Sequence, residues 1–254
     1  MNQYAIVTGA SGGIGSAIAI KLAKEGYDLL LIGGRQADRL SETCSLCRQE
    51  GVSVTSLQMD FSDLCKTEQI LAGFSDPAHS KADLPNASCR TADLLVNCAG
   101  ISQIGLLQDM KMEEWLRIMN INLTSTFAMC HSVIPSMVQA KKGCILNISS
   151  VWGSVGASCE TAYSATKGGI HALTKALAKE LAPSGIAVNA IACGMIDTAM
   201  NHCFTKEEIA DICEEIPAGR MGSPEEIADT VALLARAPIY LTGQIIGVDG
   251  GWQV

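Results

Sequence analysis

The sequence predicts an α/β fold: a single doubly wound parallel sheet of about seven strands with helices on both faces. Three observations predict it. Apolar, strand-like runs alternate with helix-like segments along all 254 residues. The strand-like runs are apolar nearly throughout, as strands buried on both faces must be. The first of them leads directly into a glycine-rich turn, TGASGGIG, that opens a helix. The length fits one α/β domain or two small ones, and no internal repeat or long linker suggests a second, so one domain spanning 1–254 is expected.

The elements follow in order. YAIVT reads as the first strand, and IGSAIAIKLAKEG as a helix with apolar residues at helical spacing. DLLLIGG is the second strand, followed by a polar helix over roughly 36–50. VSVTSLQM is a third strand and 63–73 a short helix. The stretch 74–92, rich in proline and small polar residues, reads as a surface loop. DLLVNCAG is the fourth strand, 112–140 one long helical stretch, GCILNIS the fifth strand, and 161–182 a helix. GIAVNAIAC is the sixth strand. SPEEIADTVALLAR is a helix with Ser223 as N-cap, Pro224 at its first position and glutamates in its first turn. QIIGVDGG closes the set.

Composition excludes several classes of function. The net charge is −8, with only 17% charged residues and no basic run, which argues against a nucleic-acid partner. No stretch approaches the eighteen or so apolar residues of a membrane span, and YAIV is too short for a signal peptide. A cytoplasmic protein is expected. Its eleven cysteines are then reduced thiols rather than disulfides. Cys44 and Cys47 form the only C-x-x-C, and His79, His131, His171 and His202 lie far apart, so no metal is expected.

Two clusters carry chemistry. Glycines in TGASGGIG (Gly9, Gly12, Gly13 and Gly15, with Ser11 and Ile14) let the backbone turn tightly and approach a pyrophosphate. The helix that follows offers that anion its N–H groups. The tip of the second strand, which normally meets the adenosine ribose, carries Gly33-Gly34-Arg35 and no carboxylate. Arg35 suits a 2′-phosphate, so NADPH/NADP+ is favoured over NADH. Against it, Gly12 leaves no second basic group in the first turn.

The second cluster is Ser150, Tyr163 and Lys167. Positions 163 and 167 share a helix face, so a lysine ammonium would lie beside a phenol and favour its ionised form. Ser150 ends an apolar run and can donate a second hydrogen bond to the same substrate oxygen. Taken alone, a tyrosine and a lysine four apart are equally what an ordinary amphipathic helix contains.

Taken together these clusters resemble the short-chain dehydrogenase/reductase family over nearly the whole chain. Thr8, Gly9, Gly13, Ile14 and Gly15 match its TGxxxGIG. Asp60, with Phe61 beside it in MDFSD, falls where the family contacts adenine. NCAG, with Asn97, Ala99 and Gly100, stands for the family's NNAG, and Asn122 matches its catalytic asparagine. The resemblance implies that Asn122 holds a water in a proton relay. It also implies that Lys167 binds the nicotinamide ribose, and that Gly194, Ile196 and Thr198 hold the carboxamide.

Two cysteines depart from the pattern: Cys98 replaces the second asparagine of NNAG, and Cys193 the proline of a PG motif. The first implies a lost hydrogen bond near the cofactor, the second a freer backbone after the sixth strand. The C-terminal half, IPAGRMGSPEEIADTVALLA then LTGQIIGVDGGW, is most similar to bacterial 3-oxoacyl-[acyl-carrier-protein] reductases. SSVWGSVGASCETAYSATKGG also resembles a group that reduces an aminopentanone on elongation factor P.

The expected reaction is NADPH-dependent reduction of a ketone, small or carrier-protein-bound, with Tyr163 as proton donor. Sugar and steroid dehydrogenases, and a catalytically silent regulator, are the alternatives. Substrate contacts are expected from 195–215, with Met195, Met200, His202 and Phe204, and from Trp152 and Glu160 after the fifth strand. The methionines fit a core stripe as well as a pocket. A homotetramer or homodimer is expected through 112–140, 161–182 and the C-terminal tail.

Overall fold

The computed structural model describes residues 2–75, 90–201 and 203–253. Seven strands form one parallel sheet: β1 (Tyr4–Thr8), β2 (Asp28–Gly33), β3 (Val54–Gln58), β4 (Leu94–Asn97), β5 (Gly143–Ser150), β6 (Ile186–Cys193) and β7 (Ile245–Val248). Their order is β3-β2-β1-β4-β5-β6-β7. β1 is flanked by β2 and β4, with Ile6 opposite both Leu30 and Leu95. The order therefore reverses at β1, and a crevice opens beyond the carboxyl ends of β1 and β4.

The central strands are mostly apolar because both faces are covered, whereas the edge strands β3 (VTSLQ) and β7 are only partly buried. Every residue of β1, β4 and β6 is buried. α1 (Gly13–Lys24), α2 (Ala37–Gln49) and α9 (Pro224–Ala235) supply one side of the core, where Ile18, Leu22, Leu40, Ile227 and Val231 meet Val7, Leu31 and Val96. α3 (Leu64–Ser75), α5 (Ser125–Ala140) and α7 (Thr161–Leu181) supply the other, where Met129, Val133, Met137 and Leu181 meet Ile6, Leu95 and Val188.

α9 is capped as its sequence suggests. Ser223 Oγ accepts from the Glu226 N–H at 3.3 Å, and the Glu226 carboxylate accepts from the Ser223 N–H at 2.8 Å. α8 (Lys206–Glu215) starts with the same reciprocal cap from Thr205 and Glu208. No helix among the described residues is long and apolar enough to cross a membrane.

The expected helical stretch over 112–140 is continuous but not regular. α4 (Met112–Met119) passes through a π-helical turn at Asn120–Thr124 before α5 begins. The cause is local hydrogen bonding. The Asn122 side chain turns inward to the Ile101 main chain, and the Ser125 and Thr126 hydroxyls donate to the carbonyls of Ile121 and Asn122. Such turns occur where a functional residue is set into a helix. The expected loop at 74–92 begins later, since α3 runs to Ser75; residues 76–89 lie outside the described residues.

Candidate functional site

A cleft of about 860 Å³ lies at the reversal point of the sheet, lined from residue 9 to residue 252. Its floor at one end is the turn between β1 and α1. Gly9 has φ of 69°, which L side chains rarely adopt, and a Cβ there would lie 2.8 Å from the Ala99 nitrogen. At Gly15 a Cβ would lie 2.2 Å from the Gly9 carbonyl oxygen. Glycine is therefore demanded where α1 packs down on its own entry turn. The first turn of α1 holds no acidic residue, so its N–H groups face the cleft with their positive dipole end unopposed.

The adenosine end of the crevice lies beyond β2 and β3. Arg35, Asp60 and Phe61 line it as expected, and so do Gln36 and Arg39. Arg39 supplies the second basic group that the glycine turn lacks. The signal available in the sequence was a second arginine four residues beyond Arg35, in the first turn of α2. Arg35 Nε donates to Asp60 at 2.9 Å. Burial would raise the Asp60 carboxyl, but hydrogen bonds from the Ser62 hydroxyl and backbone and from Arg35 bring it to about 2.

At the other end β5 delivers Ser150, and α7 delivers Tyr163 and Lys167 to the same wall. Lys167 is buried, its Nζ donates to the Ile148 carbonyl at 3.0 Å, and it lies 5.4 Å from the centre of the Tyr163 ring. Burial lowers its pKa; the nearby Cys98 and Cys193 work the other way. The expectation that Lys167 makes the phenol more acidic is not met in the protein alone. Tyr163 is partly exposed to the cleft, yet burial pushes its phenol up, with Cys193 and Glu160 adding to the rise and a hydrogen bond with Ser150 opposing it. The Trp152 N–H donates to Ser150 Oγ at 3.2 Å, which occupies an acceptor position and leaves the hydroxyl proton for another partner.

The structure brings Ser11, Gly12, Gly13, Ile14, Ala99, Gly100, Gly194, Ile196 and Thr198 to the cleft wall. Met195, Met200, Phe204, Trp152 and Glu160 line it too, whereas His202 lies outside the described residues. Two expected residues stand behind the wall. Asn97 is buried, its amide donating to Asn147 Oδ1 at 2.9 Å, and Asn147 donates in turn to Thr174 at 2.9 Å. Asn97 ties β4 to β5 and, through Asn147, to α7, and does not line the cleft.

Asn122 is also fully buried. Its side chain accepts from the Ile101 N–H at 2.8 Å and donates to the Ile101 carbonyl at 2.9 Å and to Thr166 at 3.2 Å. An amide so occupied shapes the loop after β4, and leaves a proton relay only main-chain atoms to use.

Cys98 and Cys193 line the cleft, and burial pushes both thiols up to about 12, so they are inert at neutral pH. The main chain of NCAG is held to β1, since the N–H groups of Cys98 and Ala99 both donate to Thr8 Oγ1 at 3.0 and 3.1 Å. Sequence reading missed Ser102, Arg117 and Trp252, which reach the cleft from a loop, from α4 and from the tail. Ser102 donates to Glu160 at 2.5 Å.

The residues present fit an extended dinucleotide. A glycine cradle and a helix N-terminus lie in the middle, two guanidinium groups at one end, and a hydroxyl, a phenol and an amine at the other. The family model for short chain dehydrogenases matches residues 3–209. The uncharacterized oxidoreductase YmfI of Bacillus subtilis is 39% identical over all of both chains. The 3-oxoacyl-[acyl-carrier-protein] reductase FabG of Staphylococcus epidermidis is 35% identical over 99% of each. Among solved structures, a Beutenbergia cavernae protein assigned as an NAD(P)-dependent gluconate 5-dehydrogenase, with bound NADP, superposes with a TM-score of 0.88 at 32% identity, covering 98% of this chain and 96% of that one. With this match across the chain and a cleft built at the reversal point of its sheet, the protein belongs to the short-chain dehydrogenase family.

Proposed function

We infer that the protein reduces a ketone to a secondary alcohol with NADPH, and that a 3-oxoacyl thioester is its substrate. The observation that carries this is the meeting of Ser150, Tyr163 and Lys167 on one wall of a cleft whose far end presents Arg35 and Arg39. Reduced nicotinamide supplies the hydride. Ser150, with its acceptor side held by the Trp152 N–H, donates to the substrate oxygen. The Tyr163 phenol, kept protonated by burial, delivers the proton to the developing alkoxide. Lys167 places positive charge beneath the phenol and offers its remaining N–H groups to the ribose.

The thioester reading is supported by the relatives named as 3-oxoacyl-[acyl-carrier-protein] reductases. A second reading is favoured by Glu160. This carboxylate lines the substrate end and is held there by Ser102, which suits a ketone carrying an ammonium group, such as an aminopentanone on a protein. The exposed Met112, Leu116 and Phe127 on α4 and α5 support a dimer or tetramer through those helices.

The test is NADPH oxidation with an acetoacetyl thioester, an aminoketone, a sugar ketone and a steroid ketone. Turnover of the thioester above the others supports the first reading, and preference for the aminoketone the second. Inactivity toward all four overturns both.

A further inference from the structure

The segment after β7 does not trail away from the molecule. Gly250 and Gly251, with φ of 67° and 84°, turn it back toward the cleft. Asp249 accepts from the N–H groups of Gly251 at 3.0 Å and Gln253 at 2.9 Å. The Gly250 carbonyl accepts from the Ala218 N–H at 3.1 Å, and a Cβ at Gly250 would lie 2.9 Å from Ala218 Cβ. The turn thus delivers Trp252 to a fixed place, where its ring meets that of Trp152 edge to face, with centroids 4.9 Å apart and planes at 62°.

Trp152 opens α6 (Trp152–Val155), a single turn that begins two residues after Ser150. Its main chain holds the Ser150 hydroxyl, and its side chain rests on Trp252. Both rings line the cleft, as do Met200 and Phe204.

We propose that Trp252 is a substrate-positioning and specificity residue: with Trp152 it walls the substrate end of the cleft and selects ketones bearing an extended apolar chain over short ones. The proposal rests on the ketone-reductase reading. An apolar chain laid along two indole rings gains contact that a short ketone cannot reach, so the selection shows in KM. Trp252 touches no reacting atom, so its effect on the proton donor runs only through Trp152 and the hydroxyl that Trp152 holds.

The experiment compares wild type, Trp252→Ala and Trp252→Phe with ethyl acetoacetate and ethyl 3-oxooctanoate, together with the Kd of NADPH. In the alanine variant KM for the longer ketone is expected to rise about tenfold or more, and that for the shorter one less than about threefold. NADPH binding stays within about twofold, and phenylalanine restores most of the loss because it keeps an aromatic wall. Equal shifts for both ketones, a parallel loss of NADPH affinity, or a phenylalanine variant as impaired as alanine overturns the proposal. An active wild type with an indistinguishable alanine variant overturns it alone. A wild type inert toward both ketones overturns the ketone reading and this proposal with it.

Discussion

Arg35 donates its Nε to the Asp60 carboxylate at 2.9 Å, so the tips of β2 and β3 are bridged across the adenosine end of the cleft. The pairing uses one edge of the guanidinium and leaves its terminal nitrogens for a further anion. Arg39 stands beside it without a carboxylate partner among the described residues. Replacing either arginine by aspartate removes a charged donor worth about 1.5–3 kcal/mol. The expected result is an NADPH Kd roughly 10- to 100-fold weaker, with NADH changed by less than about threefold. Fluorescence titration with both dinucleotides checks it, and equal weakening of the two would show that neither arginine reads a 2′-phosphate.

Tyr163→Phe removes the proton donor and keeps the ring over Lys167. Turnover is expected to fall by about 10²–10⁴-fold while NADPH still binds. Steady-state rates and a cofactor titration measure the two effects separately. Near-normal turnover would remove the phenol from the chemistry.

The pH profile carries its own sign. Burial, Cys193 and Glu160 all disfavour the phenolate, so Tyr163 keeps its proton through neutral pH. Ketone reduction is then level across that range and declines only as alkaline pH strips the phenol. Glu160→Gln removes the carboxylate charge that helps to raise the phenol, so the alkaline limb moves to lower pH. A limb that stays in place, or moves upward, contradicts this placement of Glu160.

Asn97→Ala tests the buried link from Asn97 to Asn147. It leaves Asn147 Oδ1 buried without its donor, at a cost of about 1–3 kcal/mol. In a chain of this length that lowers Tm by roughly 2–10 °C. Thermal unfolding should show the drop, while NADPH affinity in the folded variant stays unchanged. A selective loss of affinity with no loss of stability would return Asn97 to the cofactor site.

Sequence reading reached the sheet, the glycine turn and the Ser150, Tyr163 and Lys167 set because each depends on local pattern. β1, β4 and β6 are buried along their whole length, so apolar runs mark them, and a glycine is the only residue that fits at position 15. What escaped depends on contacts between distant residues. Nothing local in NCAG says that Asn97 turns toward Asn147 fifty residues on. Trp252 meets Trp152 only because Gly250 and Gly251 turn the tail back. The acidity of the phenol has a related limit: helical spacing shows that Lys167 is near, but not how thoroughly burial opposes both charges in the protein alone.

The π-helical turn at Asn120–Thr124 fixes a phase relation between the helices on either side. An α-helix turns about 100° per residue, so one extra residue rotates everything beyond it by that angle. Met129, Val133 and Met137 of α5 reach the core only in the rotated setting. Deleting a single residue from the turn would restore a regular helix and swing those three side chains out of the core. The irregularity behind Asn122 is thus also what keeps α5 facing the sheet.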